Sequence, residues 1–305
     1  MRTPFTGAGT ALVTPFTRNG DLDEAAVRRL GRRQIDGGIH FLAPCGTTGE
    51  NPTLTSSERR RIVEILVEEA NGKVPILAGA GGYNTREVIE LIGDLTDAGA
   101  NGFLSVTPYY NKPTQEGLYH HYRAIAESTA LPIIVYNVPG RTGVNVEVAT
   151  LVRLAAIPNI VGVKEASGNM QQMCEVCRAV PPDFLVLSGD DVMALPLMAV
   201  GGRGVISVVS NEVPTAVAQI VEAAERNDFA AARQIHHRLV PLMLANFVES
   251  NPGPVKAAMA AMGLLEEAYR LPLVAPKPES KGKVLKALRD FGVPELKSSG
   301  TGAYA

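Results

Sequence analysis

The sequence predicts an α/β fold, a closed (β/α)8 TIM barrel followed by a helical domain, and three observations carry that expectation. Short, continuously apolar runs recur eight times, amphipathic stretches with helix start and stop signals separate them, and beyond residue 226 the strand-like runs cease. The runs fall at 9–15, 39–43, 75–79, 102–107, 132–137, 160–164, 184–189 and 204–208. Most are apolar throughout, as parallel strands covered on both faces must be. Polar residues gather at their C-terminal ends. Eight strand–helix units over about 225 residues favour closure, because right-handed crossovers then leave no edge strand over. An open, doubly wound sheet is the alternative.

The helical stretches carry their own punctuation. Thr55-Ser56-Ser57-Glu58 precedes Ile62, Leu66 and Ala70, so a hydroxyl can cap the helix while Glu58 complements its dipole. Asp36-Gly37-Gly38, Asn71-Gly72 and Ala98-Gly99 stand where a left-handed residue ends a helix before the next strand. After Asn227 the pattern is helix only, at 229–247, 254–262 and 282–291, with Pro272, Pro276 and Pro278 as a stiff connection. The predicted organisation is a barrel over 1–226, a helical domain over 227–297, and a small, polar, disordered tail over 298–305.

Composition narrows the partner. A 46% hydrophobic and 20% charged chain supplies a large core. A formal charge of −2, with Lys and Arg scattered, gives no footprint for nucleic acid or an anionic membrane. No run reaches the roughly 20 apolar residues of a membrane span. The stretch 8–13 is too short for a signal-peptide core. Cys45, Cys174 and Cys177 are an odd, sparse set suited to a reducing compartment, so a cytoplasmic protein acting on small molecules is expected.

Nine lysines are present, and Lys73, Lys112, Lys277, Lys281, Lys283, Lys286 and Lys297 lie in loops or the polar C-terminal region. Lys256 falls in the helical pattern 254–262, where a surface role is expected. Lys164 closes the run 160–164 and so stands at the C-terminal end of a barrel strand, where barrel enzymes place their chemistry. Partial burial would lower its amine pKa and make it nucleophilic toward a ketone. From position alone, snorkelling into solvent competes with that reading. The other strand ends favour the first. Cys45-Gly46-Thr47-Thr48-Gly49-Glu50 is a Gly-rich turn whose amides and hydroxyls suit a carboxylate. Tyr136 ends the fifth strand, where a phenol can relay protons. Arg141 stands on a stiff turn as a clamp for a second carboxylate or as a surface arginine, and Tyr109 and Tyr110 follow the fourth strand.

Four motifs, Gly46-Thr47-Thr48-Gly49-Glu50, Tyr109-Tyr110-Asn111-Lys112-Pro113, Tyr136-Asn137-Val138-Pro139-Gly140-Arg141-Thr142 and Gly162-Val163-Lys164-Glu165-Ala166-Ser167-Gly168, together resemble the dihydrodipicolinate synthase and N-acetylneuraminate lyase family. They stand in the right order over nearly the whole chain, and Phe247-Val248-Glu249-Ser250-Asn251-Pro252 extends the match into the helical region. The resemblance implies that Lys164 condenses with the ketone of pyruvate, that the imine loses a methyl proton, and that the resulting enamine attacks an aldehyde. It implies a proton relay of Thr47, Tyr136 and Tyr110, with Tyr110 reaching the active site of a neighbouring subunit. The assembly is then at least a dimer and, by analogy, a homotetramer built as a dimer of dimers. Thr47 and Thr48 would bind the pyruvate carboxylate, with Gly189 and Ile206 lining the pocket. Arg141 matches the residue that holds the carboxylate of L-aspartate 4-semialdehyde, which places the reaction on the route to diaminopimelate and lysine. Sialic acid and sugar-acid lyases of the family generally lack that arginine. A 2-keto-3-deoxy sugar acid aldolase is the same-family alternative, and a non-catalytic barrel that binds small acids is the alternative of a different class.

A protonated imine is itself the electron sink, so neither metal nor cofactor is expected. The histidines, His40, His120-His121 and His236-His237, lack metal-ligand spacing. Cys174-Glu175-Val176-Cys177 lacks a second pair and reads as two helix-face cysteines. Gly79-Ala80-Gly81-Gly82 reads as a turn near the mouth of the barrel, and Gly201-Gly202-Arg203-Gly204 lies before a strand, at the opposite end. In lysine-inhibited members of the family a regulatory site uses positions matching Asn51, Pro52, Ser56, Arg59, Tyr83, Glu87 and Tyr109. Glu87 and Tyr109 match. Ser56 and Arg59 replace histidines of sensitive bacterial relatives, and Tyr83 replaces an amide, so weak or absent inhibition by L-lysine is expected.

Overall fold

In the computed structural model, which describes residues 4–294, the eight apolar runs are strands: β1 (Gly7–Ala11), β2 (Phe41–Ala43), β3 (Leu77–Gly79), β4 (Gly102–Val106), β5 (Ile133–Asn137), β6 (Ile160–Glu165), β7 (Leu185–Ser188) and β8 (Gly204–Ser207). They pair in parallel in the order β2-β1-β8-β7-β6-β5-β4-β3. A parallel bridge between Leu42 and Ile76 joins the two ends, and Leu42 N–H donates to the Pro75 carbonyl across the seam. The sheet therefore closes on itself, as the alternation predicted.

The continuous apolarity has a direct cause. Along β5, Ile134 and Tyr136 face the barrel interior with Phe5, Phe41, Leu104, Leu187 and Ile206, while Ile133 and Val135 face the helices with Val163, Val186 and Val205. Both faces are covered, so neither is polar. Phe5 and Phe41 meet edge to face at 5.7 Å at the N-terminal end of the barrel. The expected first strand was displaced: β1 starts at Gly7 and ends at Ala11. Residues 12–15 are apolar for another reason, since Leu12 and Val13 are buried in the mouth, where Val13 N–H donates to Asn211 Oδ1. Glycine at position 9 is required by close approach, because a Cβ there would stand 2.1 Å from the Phe41 ring.

Around the barrel run α1 (Glu24–Asp36), α2 (Ser56–Ala70), α3 (Thr85–Asp97), α4 (Gln115–Glu127), the single turn α5 (Pro139–Thr142), α6 (Val148–Leu154), α7 (Met170–Ala179), α8 (Asp191–Ala199) and α9 (Pro214–Glu225). Helix α2 has the full capping box between Thr55 and Glu58 and ends at a left-handed Asn71. After α1 and α3 the left-handed residues are Gly38 and Gly99. Helices α10 (Phe229–Ala245), α11 (Gly253–Ala261) and α12 (Pro278–Phe291) follow, with α10 packed on α8, α9 and α12, and α11 on α12. Helix α12 begins at Pro278, earlier than predicted, because proline is preorganised for the first helical turn, where its missing N–H costs nothing. The tail expected over 298–305 lies outside the described residues. Among the described residues no helix is long and apolar enough to cross a membrane.

Candidate active site

Lys164 occupies the C-terminal end of β6 and is 5% exposed. It is in register with Tyr136 on β5 and Leu187 on β7. Paired positions on parallel strands point the same way, so amine and phenol face the interior together. Nζ lies 4.3 Å from the centroid of the Tyr136 ring. The lysine stem runs against bare backbone. A Cβ at Gly189 would come within 3.0 Å of Lys164 Cε and 2.6 Å of the Ala166 Cβ. Gly189 is held there by its N–H, which donates to the Glu165 carbonyl. Glu165 is buried and points away from the amine: its carboxylate accepts from Ser167 N, Asn137 Nδ2 and Gln172 Nε2, a network that fixes the turn after β6.

A cavity of about 220 Å³ opens beside Tyr136, lined also by Thr47, Asn51, Tyr109, Val138 and Arg141. At ~30 Å³ per water this is room for about seven waters, the scale of a small oxo acid. Gly79 and Gly81 line it too, which places that Gly-rich turn at the mouth. Thr48 is buried and its Oγ1 accepts from Asn251 Nδ2 at 2.9 Å. Arg141, on the single turn α5, donates from an Nη to the Asn251 carbonyl at 3.3 Å. Ile206 is fully buried in the interior cluster that includes Tyr136. Burial, and then Tyr83 packed edge to face at 5.2 Å, raise the Tyr109 phenol above its ordinary pKa. Thr47, Tyr136, Arg141, Asn51 and Tyr109 thus meet around one space, with Lys164 and Gly189 against Tyr136 or each other.

Two expected residues stand apart within the chain. Tyr110 is 91% exposed and has φ +64°, a left-handed backbone that turns it away from its own barrel. Glu87, exposed in the first turn of α3, accepts from Asn84 Nδ2 and does not line the cavity.

The expectation that Lys256 lies at the surface is wrong. It is fully buried, and its Nζ stands 2.5 Å from Glu50 Oε1. The Phe16 and Tyr269 rings lie 4.5 and 5.2 Å away. Glu50 has φ +54° and closes the Gly-rich turn that carries Thr47 and Thr48, so the ion pair ties that turn to α11. The signal was present in the sequence: Pro254-Val255-Lys256-Ala257-Ala258-Met259-Ala260 has no polar face, and a helix apolar all round is a buried one. Asn251 carries no sequence signal beyond its family motif, because one amide 203 residues from Thr48 gives no local pattern.

A larger cleft of about 840 Å³, lined by His40, Arg203, Glu222 and Arg226 among others, opens at the N-terminal end of the strands, away from Lys164. Size does not decide here, because barrel chemistry lies at the C-terminal face. Cys174 is exposed and Cys177 half-buried on α7, both free, with burial raising the Cys177 thiol to about 11. Among the described residues no group of three or more His, Cys, Asp or Glu is placed to hold a metal.

Comparison with known proteins points to a single family. The model of the dihydrodipicolinate synthetase family matches residues 4–290. A 4-hydroxy-tetrahydrodipicolinate synthase of Koribacter versatilis is 53% identical over 94% of this chain and 96% of its own length. The crystal structure of dihydrodipicolinate synthase from Aquifex aeolicus superposes with a TM-score of 0.94 at 42% identity, covering 96% of this chain and all of that one. That of the Acinetobacter baumannii synthase complexed with pyruvate gives 0.93 at 42% identity, covering 95% of this chain and 99% of the other.

Proposed function

Because the chain belongs to the dihydrodipicolinate synthetase family, we propose that it is an enzyme joining pyruvate to L-aspartate 4-semialdehyde through a Schiff base on Lys164. The product is 4-hydroxy-tetrahydrodipicolinate. The observation that carries the reading is the buried Lys164 amine at the end of β6, in register with Tyr136, which lines a cavity the size of a small oxo acid.

The chemistry follows from that arrangement. The neutral Lys164 amine attacks the ketone carbon of pyruvate to give a carbinolamine, and loss of water leaves an imine. That loss needs a proton delivered to the departing hydroxyl, and Tyr136, whose ring lies 4.3 Å from the amine, supplies it. Thr47 continues the relay, and Tyr110 of a neighbouring protomer completes it. The protonated imine withdraws electrons, so the methyl carbon gives up a proton and becomes the enamine carbon. That carbon bonds to the aldehyde carbon, and the aldehyde oxygen takes up a proton. The amine of the semialdehyde portion then attacks the imine carbon, displaces Lys164 and closes the ring, with one water lost overall.

Thr47 and Thr48 hold the pyruvate carboxylate, Gly189 and Ile206 shape the floor, and Arg141, at the rim, clamps the semialdehyde carboxylate. The pyruvate complex of the Acinetobacter baumannii relative supports the first substrate. The exposed, left-handed Tyr110 supports a homo-oligomer in which it serves another subunit, a dimer at least and a tetramer as a dimer of dimers. The protein works in the cytoplasm, which its free cysteines support. Asn51 and Tyr109 around the cavity and Glu87 nearby are a remnant of a regulatory site that L-lysine fills weakly or not at all; inhibition at micromolar lysine in a steady-state assay contradicts this. The reading as a whole is tested by adding pyruvate and borohydride and mapping peptides by mass: a reduced adduct confined to Lys164 is expected, and an unmodified protein refutes it.

A further inference from the structure

We propose that Asn251, beyond the barrel strands, is a positioning residue that commits the Thr48 hydroxyl to donate its hydrogen toward the carboxylate of the first substrate. The inference rests on the reading of Thr48 as a carboxylate ligand. A threonine hydroxyl has one hydrogen and two lone pairs, and an amide nitrogen can only donate. Asn251 Nδ2 stands 2.9 Å from Thr48 Oγ1, so it occupies a lone pair and leaves the hydroxyl hydrogen to be given elsewhere. Both residues are buried, at 5% and 3% exposure, so water does not compete for the arrangement. Among the described residues no hydrogen bond consumes the hydrogen, and Thr47, the preceding residue, lines the cavity. An anion bound there supplies the missing acceptor.

The same residue meets the other carboxylate ligand by a different atom. Its backbone carbonyl accepts from Arg141 at 3.3 Å, across 110 residues of sequence. A side-chain substitution at 251 therefore removes the contact to Thr48 and keeps the contact to Arg141. The two substrates become separable: the side chain governs pyruvate, the carbonyl governs the semialdehyde.

The experiment measures the pyruvate concentration that half-saturates borohydride trapping at Lys164, together with the semialdehyde KM. Asn251→Ala is expected to raise the pyruvate value roughly ten-fold and to leave the semialdehyde KM within about two-fold. Asn251→Asp has the same shape but only accepts. It captures the hydroxyl hydrogen and sets a negative charge beside the anion, so roughly a hundred-fold loss is expected. In a Thr48→Val background the alanine substitution is expected to add under about three-fold, because its effect passes through the hydroxyl. An unchanged half-saturation in Asn251→Ala overturns the proposal, as does an equal penalty with and without the Thr48 hydroxyl, or an equal rise for both substrates. Pyruvate affinity retained in Asn251→Asp overturns it as well, since that is the result for an amide turned to accept from Thr48. The isosteric aspartate keeps the test open if the alanine protein does not fold. Absence of trapping in the unsubstituted protein marks failure of the Schiff-base reading; normal trapping with indifferent Asn251 variants marks failure of this inference alone.

Discussion

Replacing Lys256 by methionine isolates what the buried ion pair does for the Gly-rich turn. Both partners have fully buried side chains, so no water screens either charge. Methionine fills the volume of the stem and leaves the Glu50 carboxylate, among the described residues, with the backbone N–H of Arg270 at 3.5 Å as its remaining donor. Removing one partner of a buried pair costs about 3–5 kcal/mol, most of it the penalty of the charge left behind. For 305 residues, an unfolding entropy of about 2.1 cal/mol/K per residue gives roughly 0.64 kcal/mol/K, so a 4 kcal/mol loss lowers the melting temperature by about 6 °C. Adding Glu50→Gln removes the stranded charge and is expected to restore stability to within about 1–2 kcal/mol of the parent. The assay is urea unfolding followed by far-UV circular dichroism, at one protein concentration and without pyruvate, because ligand and oligomer both shift the midpoint. The reasoning is refuted if Lys256→Met costs under about 1 kcal/mol, or if the two substitutions add instead of compensating. The surviving single variant should also be trapped more slowly by pyruvate and borohydride, since the turn bearing Thr47 and Thr48 loses its anchor.

Three further outcomes are expected. Arg141→Ala raises the semialdehyde KM at least about ten-fold with the pyruvate adduct on Lys164 intact, since a charge-assisted carboxylate contact is worth about 1.5–3 kcal/mol; loss of both together would make Arg141 a structural residue. Mixing dissociated Lys164→Ala and Tyr110→Phe subunits and letting them reassociate restores activity that neither parent has, because a hybrid holds one site with both groups; no recovery in verified hybrids excludes a shared Tyr110. The bidentate contact of Arg270 holds Glu58 well below the usual carboxylate range, at about 2 against an ordinary 4.5. A depressed carboxylate pKa contributes stability above its unfolded value and loses it as pH falls, here from about 4.5 toward about 2. The pH-dependent part of the difference between the parent and Arg270→Gln in urea unfolding is thus roughly 1 kcal/mol at pH 6, after allowance for solvent screening, and fades near pH 2, leaving the pH-independent loss of the Arg270 contacts to the Gly20 and Thr53 carbonyls.

Much of the barrel was legible because its signals are local. A parallel strand covered on both faces must be apolar at every position, and the caps at Thr55, Glu58 and Asn71 act within a few residues of themselves. Lys164 was legible for the same reason, as a charge placed where an apolar run stops, and the four motifs read together pointed to the family. The first strand was misplaced because apolarity at Leu12 and Val13 comes from burial in the mouth and not from the ladder.

By itself, then, the sequence determined which segments become strands and helices, where the strands deliver their polar ends, and which lysine stands among them. The tertiary structure alone decided which groups meet across long separations: Lys256 with Glu50, Asn251 with both Thr48 and Arg141, and Tyr110 turned outward from its own site. The physical reason is range. Backbone propensity and capping are settled over a few residues, whereas a buried charge or amide takes its meaning from a partner that closure of the whole barrel brings within hydrogen-bond reach.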